Sequence, residues 1–154
     1  MIGAIILKSM LDRTGTDKIN QRNVDQLLSH WTDDAILIYP GNLPFSGEMR
    51  GKDMLTAFFE IYLEQFPELE FKTKNTFIRN MFAIGFTNTL AIETAIKYTN
   101  RWGYTFENTV TSILDLRQGK VWYDKDYYFD VDTLNKAWEG ADIGRFEKYL
   151  SRRA

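Results

Sequence analysis

Hydrophobic positions change their period about halfway along this chain. In the first half they recur at helical spacing. Residues 2–14 predict a helix whose turns are marked by Ile6, Met10 and Arg13, with Gly15 near its end. In 21–32, Val24, Leu27, Leu28 and Trp31 fall at i, i+3, i+4 and i+7, which predicts a second helix with one apolar stripe. "DDAILIYP" then turns from helix to strand and is stopped by Pro40 and Gly41. "GNLPFSGEMRG" predicts a loop or short hairpin. "GKDMLTAFFEIYLEQFP" predicts a third helix with Leu55, Phe58, Phe59, Tyr62 and Leu63 facing inward, ended by Pro67.

From residue 68 the period is two. Segments 68–80, 82–99, 104–116 and 120–130 alternate, are rich in Thr, Ile, Val, Phe and Tyr, and are separated by turn signals such as "NRWG" and "RQGK". They predict long antiparallel strands joined by hairpins, and 132–139 and 142–152 predict short terminal helices. The order α-α-β-α-β-β-β-β predicts an α+β fold: a strongly bent antiparallel (mixed) sheet with helices over its concave face, enclosing a pocket. We read one domain over 1–154, with 140–154 an extra C-terminal helix.

Composition narrows the picture. A chain of 154 residues buries a real core without disulfides, and it has no cysteine to make them. The formal charge of −2, with acids and bases interspersed, offers no basic face for nucleic acid or anionic lipid. The apolar patch Ile2–Leu7 has neither a charged leader nor a small-residue cleavage site, and no apolar run approaches the roughly 20 residues of a membrane span. A cytoplasmic protein without nucleic-acid or membrane partners is the expectation. His30 is the only histidine, which argues against a transition-metal site. Aromatics at 15 % suit a filled core or a cavity for an apolar ligand.

The candidate chemistry sits in "KVWYDKDYYFD", residues 120–130, where three aspartates lie among five aromatics. Alternation separates Val121, Tyr123, Lys125, Tyr127 and Phe129 from Trp122, Asp124, Asp126, Tyr128 and Asp130. The pattern leaves open which set is concave. The spaced aspartates lack the glycine and distal glutamate of a calcium loop.

Three phrases, "NVDQLLSHWTDDAILIYPG", "FSGEMRGKDMLTAFFE" and "GKVWYDKDYYFDVDTL", resemble the nuclear transport factor 2-like superfamily over about residues 20–138. The resemblance is to its SnoaL-like polyketide cyclase and limonene epoxide hydrolase branches. That superfamily holds isomerases, dehydratases, cyclases, epoxide hydrolases and non-catalytic binding modules on one shape. The resemblance matches Asp126 to a last-strand aspartate that activates water, which implies that Asp126 and Tyr128 face the pocket. Asp124 and Asp130 would then lie nearer the mouth or the strand ends. The same matching places Leu37, Tyr39, Glu93, Ala95, Lys97, Asn108 and Val110 in the cavity, with Trp31, Phe58, Phe59 and Tyr62 as wall.

Departures from the relatives limit the inference. The epoxide hydrolases' Arg-x-Asp pair falls on Glu93-Thr94-Ala95, and their water-holding Tyr and Asn fall on Leu37 and Tyr39. The ketosteroid isomerases' general base falls on Tyr39, and no tyrosine precedes it to match their donor. What remains resembles the SnoaL-like cyclases most. It implies a cofactor-free enzyme, working as cyclase, isomerase or dehydratase on a hydrophobic, oxygenated small molecule. Asp126, Glu93 and Tyr39 would be catalytic. Asn108, Tyr128, Leu37, Val110, Trp31, Phe59 and Lys97 would bind substrate. Other readings stay open. Glu93 reads equally as a structural partner of Lys97, and Asn108 as a partner of buried backbone. The domain can also be a non-catalytic binding module, or open or close epoxides with Glu93 and Asp126 as a rearranged acid pair. A convex face carrying Ile92, Thr94, Ile96, Tyr98, Thr109, Thr111, Ile113, Tyr123 and Tyr127 predicts a homodimer.

Overall fold

The structure is a computed structural model that describes residues 16–80, 82–83 and 87–150. The helix expected over 2–14 lies outside these residues. Two short helices come first, α1 (Thr16–Asn20) and α2 (Val24–Leu28), followed by strand β1 (Trp31–Tyr39), strand β2 (Gly47–Arg50) and helix α3 (Lys52–Gln65). Strands β3 (Glu68–Ile78), β4 (Asn88–Thr99), β5 (Thr105–Arg117) and β6 (Lys120–Tyr128) follow. Helix α4 (Val131–Ala137), a 3-10 turn (Gly144–Phe146) and α5 (Glu147–Leu150) complete the described chain.

The second helix is shorter than its stripe predicts. Arg22 takes a left-handed φ of 57°, which separates α1 from α2. Asn23 then caps α2 by accepting a hydrogen bond from the Gln26 backbone N–H at 2.9 Å. Trp31, the last member of the stripe, already belongs to β1, where it pairs with Val121 and remains 3 % exposed. Its inward position survives the change from helix to strand. The guanidinium of Arg22 reaches across to the C-terminal end of α3, where it donates to the carbonyls of Leu63, Phe66 and Pro67. Leu63 belongs to the last turn of α3, whose carbonyls lack intrahelical donors, and Phe66 and Pro67 follow the helix end.

The strands form one six-stranded sheet in the order β2-β1-β6-β5-β4-β3. All neighbours are antiparallel except β1 and β6, which run parallel. Register shifts interrupt β1/β6, β3/β4 and β5/β6, and bulges of this kind bend a sheet. The shift in β5/β6 falls at Trp122, between the pairs Asp115↔Tyr123 and Leu116↔Val121. It overturns part of the expected alternation. Val121 joins the core at 1 % exposure, while Trp122 lies half-buried beneath the Arg117 guanidinium, 4.6 Å from its ring centre.

Helix α3 packs on the concave face and buries Leu55, Phe58, Phe59, Ile61 and Tyr62. Phe58 meets Tyr39, Phe45, Phe59 and Trp138 at ring-centre distances of 5.0–6.1 Å. Such pairs add about 0.5–1.5 kcal/mol each beyond their burial. Asp130 caps α4 by accepting from the Thr133 backbone N–H at 2.8 Å, so it belongs to the turn after β6. The Gln65 side chain ties α3 to α4 through the Ala137 carbonyl, at 2.8 Å.

The register of β4 corrects the expected outer face. Leu90, Ile92, Thr94, Ile96 and Tyr98 point inward and are buried, while Ala91, Glu93, Ala95 and Lys97 alternate with them on the outside. Ile92, Thr94, Ile96 and Tyr98 therefore do not belong to the convex surface. The physical reason is the apolar set itself, which is buried at the expense of the charged one.

Candidate active site

Between α1, α2, α3 and the concave face of the sheet lies a cavity of about 90 Å³. Its wall is apolar and aromatic: Ile19, Leu27, Trp31, Leu37, Phe58, Phe59, Phe71, Ile92, Val110 and Leu114. Polar atoms enter from Tyr39, Tyr62, Thr94, Ser112, Asp124, Asp126 and Tyr128. No lysine, arginine or histidine is among the described residues that line it.

Strand register orders these groups in rows. Asp124 lies between Leu37 of β1 and Leu114 of β5. Two residues on, Asp126 lies opposite Ser112, with Ile92 beyond it on β4. Tyr39 stands at the same level, one pair past Ile38↔Lys125. Two residues further, Tyr128 lies opposite Val110, with Thr94 beyond. One strand thus delivers three polar side chains to the cavity at a spacing of two, about 6.6 Å apart along the chain.

The neighbours separate the two carboxyls chemically. Asp126 is half-buried, and its Oδ1 accepts from the Ser112 hydroxyl at 2.5 Å. Burial pushes its pKa up to about 6, with the Ser112 hydrogen bond opposing the rise. Asp124 is 8 % exposed, and its Oδ1 is buried with no hydrogen-bond partner among the described residues. Burial pushes its pKa well above the usual carboxylate range. The nearby Asp126 charge adds to the rise, and the Lys125 backbone N–H opposes it in part. The difference follows from the rows: one carboxyl has a hydroxyl beside it, the other has two leucines.

A phenol cluster closes the far end. The Trp138 indole N–H donates to the Tyr39 hydroxyl at 3.1 Å, and that hydroxyl donates to Tyr128 at 3.4 Å. Burial raises the pKa of Tyr39, Tyr62 and Tyr128, so all three remain neutral at physiological pH. They can exchange hydrogen bonds with a ligand but cannot act as bases.

Of the residues singled out in the sequence, Asp126, Tyr39, Tyr128, Leu37, Val110, Trp31 and Phe59 all line this cavity. Glu93, Lys97 and Asn108 do not. Glu93 projects from the outer face and accepts from the Asn75 side chain at 2.6 Å. Lys97 is exposed on that same outer face. Asn108 is spent on backbone: its Nδ2 donates to the Asp130 carbonyl at 2.7 Å, and its Oδ1 accepts from Asp130 N–H at 3.1 Å and Thr109 N–H at 2.9 Å. Glu93 and Asp126 occupy opposite faces, so they cannot form the acid pair required for epoxide chemistry. Asp124, expected at the mouth, is instead the deeper carboxyl. The sequence signal for it was its i, i+2 relation to Asp126. Ser112 was legible in the same way, as the inward neighbour of Val110.

Comparison with known proteins bears on the fold. The family model described as a SnoaL-like domain matches residues 15–124. Among curated proteins none matches the chain. An NTF2-like protein from Anabaena variabilis superposes with a TM-score of 0.66 at 19 % identity, over 82 % of this chain and 89 % of that one. A proposed SnoaL-like polyketide cyclase from Jannaschia gives 0.63 at 14 % identity, over 81 % and 86 %. AclR from Streptomyces galilaeus, described as a proposed hydroxylase, gives 0.64 at 16 %, over 95 % and 89 %. At these identities the likeness is one of fold.

Proposed function

Since the chain belongs to the SnoaL-like domain family, we propose that it is a cofactor-free acid–base catalyst acting on a small, neutral, oxygenated compound held in the concave cavity. Asp126 is its principal base. The observation that carries this reading is a half-buried carboxyl on a cavity wall with no cation among its described residues, where burial pushes its pKa up to about 6. A base poised near the working pH combines an ionised form with a useful affinity for the proton.

The step is a proton transfer. Asp126 takes a hydrogen from the carbon beside a carbonyl. The C–H electron pair becomes the C=C bond of an enolate, and the carbonyl π pair moves to oxygen. The proton then returns from Asp126 to the same or another atom. Return to a second carbon is isomerisation. Attack of the enolate on a second carbonyl is cyclisation, and expulsion of a β-hydroxyl is dehydration. The neutral phenols of Tyr39, Tyr62 and Tyr128 stand beside the ring of a bound substrate and fix its orientation.

Size sets a limit. An engineered apolar cavity of roughly 150 Å³ binds benzene, and this one measures about 90 Å³. Small ketones suit it as it stands, and a polyketide ring requires α1 and α2 to move outward. The same small volume favours a second reading, a binding module for a small neutral ligand without turnover. Acetone in D₂O separates the two. The catalyst accelerates exchange of its α-hydrogens, read by proton NMR, and Asp126→Asn returns the rate to background. Equal rates in both proteins would leave the binding module as the surviving reading.

Cytoplasmic residence and a homodimer through the outer sheet face complete the proposal. No helix among the described residues is long and apolar enough to cross a membrane. The outer face offers half-buried Ala91, Ala95, Thr111 and Ile113 and the exposed Tyr127, and a monomeric mass in sedimentation would remove the dimer.

A further inference from the structure

The acid–base reading uses Asp126 and leaves Asp124 without a task. Asp124 lies two residues from Asp126 on the same face, lines the same cavity, and is flanked by Leu37 and Leu114. Its Oδ1 is sealed from water and meets no donor among the described residues. An ionised carboxylate with a bare oxygen in such a place loses its hydration and gains nothing in return. The titratable groups facing it are Asp126 on its own strand and Tyr39, Tyr62 and Tyr128 across the cavity. The carboxylate repels a second negative charge and the phenols are neutral. With no cation on the wall, neither the pair of acids nor an anionic ligand is compensated there.

We propose that Asp124 is held as a neutral carboxylic acid whose O–H is donated to the carbonyl oxygen of a neutral ligand in the cavity, so that the two aspartates divide the work. The site then takes uncharged carbonyl compounds and rejects carboxylates. A neutral acid has one hydrogen to give, and a buried donor without an acceptor is as costly as a buried acceptor without a donor. Leu37 and Leu114 on either side offer no acceptor, and the carbonyl oxygen of the cavity's occupant supplies one. As the Asp126 base removes a proton, negative charge develops on the carbonyl oxygen, and a donor already in place stabilises it. Burial supports the assignment, since it pushes the Asp124 pKa well above the usual carboxylate range.

This inference rests on the acid–base reading for its catalytic consequence, yet its first test is independent of turnover. In protein labelled at aspartate Cγ, the Asp124 carbon keeps the protonated shift from about pH 5 to pH 8. A shift that moves to the ionised value within or below that range overturns the proposal. The second test uses carbonyl-labelled acetone. Its bound C=O stretch is lowered in the wild type and in Asp124→Asn, which retains a donor, and returns to the apolar-solvent value in Asp124→Leu. An identical stretch in wild type and Asp124→Leu, or no saturable bound band in the wild type, overturns it. Asp126→Asn keeps the lowered stretch while losing exchange, so a failure of the base and a failure of the donor give different results. Asp124→Leu is expected to slow exchange by roughly 10²–10³-fold, the usual effect of removing one such donor.

Discussion

The two faces of one sheet treat their charged side chains in opposite ways. On the outer face, Glu93 is met by the Asn75 amide, Asp115 by the Thr89 hydroxyl at 2.6 Å, and Lys97 by solvent. On the inner face, Asp124 and Asp126 share a cavity whose described lining holds no basic side chain. The outer arrangement asks little of the protein, because water screens exposed charge and pairs there contribute little. The inner one makes each carboxyl harder to ionise and distinguishes the two by a single hydroxyl, that of Ser112. Groups pushed apart in this way are where acid and base roles are assigned.

The sharpest way to break this contrast is to neutralise the inner base. Asp126→Asn should cut acetone exchange by roughly 10²–10⁴-fold, the usual share of a general base. It should also stabilise the fold. Asp126 has a folded-state pKa of about 6 against an ordinary 3.8. The folded state therefore binds more protons between those values, and stability falls as pH rises through that window. At pH 7 the penalty is complete and amounts to about 3 kcal/mol. A melting temperature higher in Asp126→Asn at pH 7, with the gain shrinking toward pH 4, checks the sign.

Removing the hydroxyl that separates the two acids should have the next largest effect. Ser112→Ala deletes the hydrogen bond that favours the charged form of Asp126, so its pKa rises. The midpoint of the exchange rate should move up by about one unit, corresponding to the roughly 1.5 kcal/mol of a hydrogen bond to a charged group. A midpoint that does not move would mean that Ser112 has no part in setting the base.

Tyr39→Phe tests the phenol cluster. It strands the Trp138 indole N–H and ends the bond to Tyr128, so stability should fall by about 1–3 kcal/mol in denaturant titration. Exchange should fall less than in Asp126→Asn, because a neutral phenol orients rather than abstracts. Smallest of all should be Glu93→Gln on the outer face, with unchanged exchange and stability within about 0.5 kcal/mol.

These residues also show what the sequence could reveal. The long antiparallel strands, the Pro40 stop and the helix ended by Pro67 were readable from period and punctuation, and the inward turn of Asp126 and Tyr128 from the resemblance. The face of β4 was misplaced because the resemblance set Glu93 and Ala95 in the cavity. A shift of one residue sends every side chain to the other side. The apolar set Ile92, Ile96 and Tyr98 was the better guide, since burying it contributes more than burying Glu93 and Lys97 can. Val121 and Trp122 were misassigned by a bulge, which alternation alone does not announce. Asp124 went unvalued for a different reason. Its lack of a partner is a property of Leu37 and Leu114 across two strand pairings, and only the register brings them together.

The central claim is that Asp126 is a working base set near pH 6 by burial and one hydrogen bond. The most direct measurement is the pH dependence of acetone α-hydrogen exchange in the wild type beside Asp126→Asn. The account predicts a rate that rises with pH to a plateau with its midpoint near 6, and no such rise in Asp126→Asn. A wild-type rate that does not vary with pH, or the same profile in both proteins, would contradict it.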